Sequence, residues 1–211
     1  MSLYKSLFKQ TLIYGLATVL PRMISFLLNP LFVKKLPTQE FADVSIVFAW
    51  LVFFNVILSY GMETAFFRFY NTEDNKKKVI STSTVSIFWT SISFLGLALL
   101  FRNTLSDWSG IKVEYVTYTI WILVLDALAI IPFSRMRATK RPMMYAIVKI
   151  GNVMTNMILN LFFLLLLPQL AQANPDGFFN TIYYENFQVG YIFVANLIAS
   201  FLTFVVLSPD Y

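Results

Sequence analysis

Six apolar runs, each about 20 residues long and parted by short polar connections, constrain this chain more than any motif it contains. A helix needs about 20 apolar residues to cross a hydrocarbon core roughly 30 Å thick. Within that core every backbone N–H and C=O must be satisfied inside the segment, which a helix does unaided. The runs predict spans near 10–33, 41–62, 79–101, 114–134, 142–167 and 187–207. The longest connection, about 19 residues near 168–186, leaves no room for a soluble domain. The chain is 58% hydrophobic and only 13% charged, against about 25% charged in soluble domains. The expected fold class is therefore an all-α integral membrane protein, a single bundle of six transmembrane helices over residues 1–211.

Residue types that are missing narrow the function. There is no cysteine and no histidine. Disulfides, His/Cys zinc sites, cysteine nucleophiles and His-based acid–base dyads lack their parts. No enzyme, metal site or cofactor is expected, and coupling to H+ or Na+ stays open.

The net charge of +5 follows membrane topology rather than nucleic-acid binding. The N-terminus (Lys5, Lys9), the second loop (Arg68, Lys76, Lys77, Lys78) and the fourth loop (Arg135, Arg137, Lys140, Arg141) hold ten of the 16 cations. The first loop (Lys34, Lys35), the third (Arg102, Lys112) and the fifth hold four. By the positive-inside rule both termini are cytoplasmic. The first apolar run is too long for a signal peptide and is interrupted by Arg22, so it reads as an uncleaved span.

Arg22 sits near the middle of that span, where a guanidinium costs about 2.5 kcal/mol or more to insert. Thr11, Tyr14, Thr18, Arg22, Ser25 and Asn29 recur at steps of three or four and so share one helix face. Pro21 removes a backbone hydrogen bond beside the charge and predicts a kink. The fifth span repeats the pattern with Tyr145, Lys149, Asn152, Asn156 and Asn160; shorter stripes are Asn55, Ser59 and Glu63 in span two and Asn196, Ser200 and Thr203 in span six. Such residues can join helices to one another, at roughly 0.6 kcal/mol each. A polar cavity lined by spans one, two and five is the reading preferred here.

Two further intramembrane charges are expected to pair. With span four ending near 134, Asp126 lies eight residues from its end and Lys149 seven from the start of span five. At about 1.5 Å per residue the two depths match on antiparallel neighbours. An Asp126–Lys149 ion pair would offset part of each burial cost, for structure or for ion coupling. Glu63, at the end of span two, is a gate candidate; Arg68, five residues on, is either a loop anchor or a phosphate contact.

Several stretches resemble one known family. They are Phe8-Lys9-Gln10-Thr11 with Tyr14-Gly15, the run from Gly61 to Tyr70, Asp126 with Ile131-Pro132-Phe133 and Arg137, and the Asn-rich fifth span. In their order and spacing they resemble the polysaccharide (O-antigen type) flippases of the multidrug/oligosaccharidyl-lipid/polysaccharide exporter superfamily. The resemblance implies one six-span lobe of a two-lobe exporter fold around a central cavity. It also implies transfer of undecaprenyl-diphosphate-linked oligosaccharide from the cytoplasmic to the periplasmic leaflet of the bacterial inner membrane, in cell-surface polysaccharide or lipopolysaccharide biosynthesis. Carried over, Arg22 becomes the leading diphosphate contact and Arg68 the second, with Ser25, Asn29, Asn152, Asn156 and Asn160 as cavity residues. A second lobe, in the same protein or a second chain, is then an expected partner, with the lipid bilayer. Two alternatives remain: a cation-coupled multidrug exporter of the same fold, and a non-transporting membrane scaffold subunit.

Overall fold

Helix is the only regular structure among the described residues, and six helical stretches are long and apolar enough to cross a membrane. A computed structural model of the chain describes the backbone of residues 3–210, and the side chains in that range except those of residues 3–7, 9, 10 and 25. The six stretches are Thr11–Lys35, Thr38–Thr72, Lys76–Leu100, Val113–Ala138, Pro142–Ala173 and Gln188–Asp210. Hydropathy places the starts within a few residues but cuts spans two, four and five short. Glu63, Arg68, Arg135 and Arg137 end the apolar runs without ending the helices, because Glu and Arg are good helix formers.

The first span is a single helix, α1 (Leu3–Lys35), continuous through Pro21 and Pro30. Span two is two helices, α2 (Thr38–Ser59) and α3 (Met62–Thr72), joined at Tyr60 and Gly61 with φ of 31° and 73°. Glycine meets this left-handed requirement at Gly61 without a Cβ penalty. The Tyr60 hydroxyl in turn hydrogen-bonds Ser86 Oγ at 2.9 Å, tying the joint to span three, α4 (Lys76–Leu100). That helix is capped where Asn75 Oδ1 accepts the Lys78 N–H at 3.1 Å.

A short helix, α5 (Arg102–Ser109), leads to span four, made of α6 (Val113–Leu128) and α7 (Ile130–Ala138). The joint at Ala129 stands just ahead of Pro132, which cannot continue the hydrogen-bond ladder. Span five starts with α8 (Pro142–Leu161), widens to a π turn at Phe162–Leu166 and closes with α9 (Leu167–Ala173). Pro168 lies just past that turn, where its missing N–H disturbs the ladder. After α10 (Phe178–Ile182) comes span six, α11 (Gln188–Leu207).

Spans four and six form the centre of the bundle: 56% and 50% of their apolar windows are buried, against 12% in span one. Helix α6 packs on α11, α4 and α2, while α8 packs on α11 and carries α1 on its other side. One cluster joins Val44, Val47, Tyr115, Ile120 and Phe193 between spans two, four and six. A second joins Ala17, Phe133, Met136, Tyr145 and Leu207 toward the other end. Tyr115 is 4% exposed in the first cluster, whereas Trp108 is 84% exposed.

Candidate functional site

Where α2–α3, α6–α7, α8 and α11 meet, they leave a cavity of about 410 Å³ with a mixed polar lining. Span two supplies Asn55, Ser59 and Glu63. The four-residue spacing puts Asn55 and Ser59 on one face of α2, and the joint at Tyr60 and Gly61 leaves Glu63 of α3 on the same cavity. Span four supplies Asp126, Ile130, Phe133 and Arg137, again at helical steps. Span five supplies Tyr145, Lys149 and Asn152, and span six Thr203. Among the described residues span one contributes no lining side chain, and the cavity is walled by spans two, four, five and six rather than one, two and five.

At one end the Arg137 guanidinium forms an ion pair and hydrogen bond with Glu63 Oε1. It also lies 5.2 Å from the ring centre of Phe67 and 5.6 Å from that of Tyr145. Tyr145 is held edge-on by Tyr14 and by Phe133, each with ring centres 5.4 Å away. Stacking on aromatic faces suits a planar guanidinium and keeps it at the cavity wall. Hydropathy alone places Arg137 in a loop, whereas the helical steps 126, 130, 133 and 137 put it on the Asp126 face.

Deeper in the cavity, Asp126 Oδ1 accepts a hydrogen bond from Ser200 Oγ at 2.8 Å, and Asn55 lies beside the same carboxylate. Lys149 Nζ sits 4.6 Å from the Phe133 ring centre. Among the described residues Asp126 and Lys149 make no direct ion pair within 4.0 Å. Span four itself continues to Ala138, beyond the expected end near 134. The two charges line one cavity and act on each other across it without direct contact.

The asparagines of span five divide. Asn152 lines the cavity and donates to Thr203 Oγ1 at 2.9 Å, while Thr203 donates to the Ala199 carbonyl at 2.9 Å. Asn160 is 1% exposed and donates to the Asn156 carbonyl at 2.9 Å. That pair lies outside the lining, next to the π turn.

Arg22 and Asn29 are exposed on α1, as are Thr11 and Thr18 of the same stripe. The Ser25 side chain lies outside the described residues. Arg68 is exposed on α3 and does not reach the cavity.

No family model, curated protein or solved structure matches the chain. The cavity places two carboxylates, two cations, amides and hydroxyls in an apolar bundle. It can hold water, exchange a small cation at Asp126, or bind a hydroxyl-rich group through donors and acceptors together.

Proposed function

We propose that the chain is one lobe of a flippase for lipid-linked oligosaccharides, of the undecaprenyl-diphosphate-glycan class, working in the bacterial inner membrane. The observation that carries this reading is the exposure of Thr11, Thr18, Arg22 and Asn29 along one face of a membrane-crossing helix. A guanidinium at mid-bilayer depth is too costly to leave against lipid tails, so this face belongs against water or protein. A second lobe opposite α1 supplies that setting and encloses a cationic passage between the two. Arg22 then meets the diphosphate, for which its planar, permanently charged fork is suited. Asn29, on the same face, meets sugar hydroxyls with both donors and acceptors.

No covalent bond changes in such a transfer. The protein must let its passage open to one leaflet at a time, which in two-lobe transporters is rocking of one bundle against the other. In this reading the intralobe cavity holds the coupling ion. Asp126, backed by Ser200 and Asn55, takes up H+ or Na+, and Glu63–Arg137 closes the end of that cavity.

The test is export of a lipid-linked glycan by Arg22→Ala and Arg22→Lys in cells, with membrane insertion followed in parallel. Export is expected to be lost in Arg22→Ala and partly kept in Arg22→Lys, with insertion intact in both. Unchanged export in Arg22→Ala would sink the proposal. The second reading, a cation-coupled multidrug exporter, is favoured by the two carboxylates of the cavity, Glu63 and Asp126. It requires drug export to fall in Asp126→Asn while Arg22→Ala exports drug normally.

A further inference from the structure

A second polar hollow, about 340 Å³, lies between the start of α4 and the end of span four, away from the cavity described above. Lys77, Ile80, Ser81, Thr84, Val85 and Arg135 line it. The α4 residues occupy three successive turns of one face, so the groove runs about 12 Å down the helix. Its chemistry is graded along that length: a cation at the helix start, then two hydroxyls, then an aliphatic side chain.

Neither cation of this groove is neutralised by a carboxylate within 4.0 Å among the described residues. Arg135 Nη1 donates to the backbone carbonyl of Asp210 at 2.7 Å, while the Asp210 carboxylate is taken by Arg141 at 2.6 Å. One N–H of Arg135 is thereby used, and no carboxylate among the described residues matches its charge. Thr84 adds an independent sign. Its Oγ1 is buried without a hydrogen-bond partner among the described residues. Helical Thr hydroxyls usually bond back to the preceding turn, as Thr18 and Thr90 do here at 2.9 and 3.0 Å. Two positive charges without a carboxylate partner and a buried hydroxyl without a hydrogen-bond partner, both among the described residues, thus converge on a groove that begins at the end of two spans.

We propose that this groove binds the phosphate of an anionic membrane phospholipid. The phosphate lies between Lys77 and Arg135, the glycerol and ester oxygens lie against Ser81 and Thr84, and one acyl chain leaves along Val85. Basic pockets between transmembrane helices at a membrane face recognise lipid headgroups in this manner, and arginine's fork matches a phosphate. The groove shares no lining residue with the polar cavity, so the site stands apart from the flippase reading.

The full chain in detergent, titrated with phosphatidylglycerol or phosphatidylcholine and read by native mass spectrometry, tests this. Phosphatidylglycerol is expected to bind one-to-one and more tightly than phosphatidylcholine. Lys77→Gln weakens that binding about fivefold and Thr84→Val about threefold. The pair Lys34→Gln/Lys35→Gln, at the other end of the bundle, leaves it unchanged. Arg135→Gln also releases Asp210, so Lys77→Gln and Thr84→Val carry the test. Equal binding of the two lipids, or wild-type affinity in both of those variants, would overturn the proposal. So would displacement of phosphatidylglycerol by inorganic phosphate at equal concentration, which would give the site to a soluble anion.

Discussion

Arg137 and Glu63, 74 residues apart in the chain, close one end of the polar cavity by pairing across spans two and four. Their side chains are 28% and 48% exposed, so water screens much of the attraction. Thermal unfolding in detergent of Glu63→Gln, Arg137→Gln and the double variant gives the coupling energy. It is expected at about 1 kcal/mol or below. Strict additivity of the two single changes would show that the pair is geometric only.

The carboxylate of Asp126 leans on Ser200 at 2.8 Å. Ser200→Ala removes a hydrogen bond to an ionisable group and should cost about 1.5–3 kcal/mol. The same change in an Asp126→Asn background should cost less, because the amide demands less of its donor. An equal loss in both backgrounds would mean that Ser200 matters for packing alone.

Water access distinguishes a cavity from helix glue. The chain contains no cysteine, so single cysteines can be placed without background. Cysteine at positions 59, 149 and 152, which line the cavity, should react with a membrane-impermeant thiol reagent. Cysteine at position 160, whose native residue is 1% exposed, should stay protected. Uniform protection at all four positions would contradict a wet cavity.

The α2–α3 joint is set by backbone conformation. Gly61 has a φ of 73° and open space where a Cβ would stand. Gly61→Ala should therefore cost about 1–2 kcal/mol through the left-handed conformation, with no steric clash added. Stability equal to that of the unaltered protein would show that the joint can shift to another conformation without cost.

Much of the cavity is legible along single helices. Asn55–Ser59–Glu63 and Tyr145–Lys149–Asn152 are visible as stripes because helical period depends on nothing beyond the segment. Arg137 escapes that reading because hydropathy treats a charge as the end of a span, although an arginine sustains the hydrogen-bond ladder as well as a leucine does. The lack of a direct Asp126–Lys149 contact escapes it too, since two charges that share a cavity touch only if their helices turn them to the same point.

Local chemistry in the chain was enough to determine an all-helical protein with six helices able to cross a membrane, and to mark the polar residues that such helices tolerate only for a reason. Tertiary structure alone decided which stripes converge. It turned spans two, four, five and six toward one cavity and left the Arg22 face of α1 exposed. The physical reason is that apolarity and helical period are properties of one segment, whereas the facing of two stripes depends on the rotation and end of every helix between them. Arg137 reaches Glu63, and Ser200 reaches Asp126, only once those rotations are set by the packing of spans four and six.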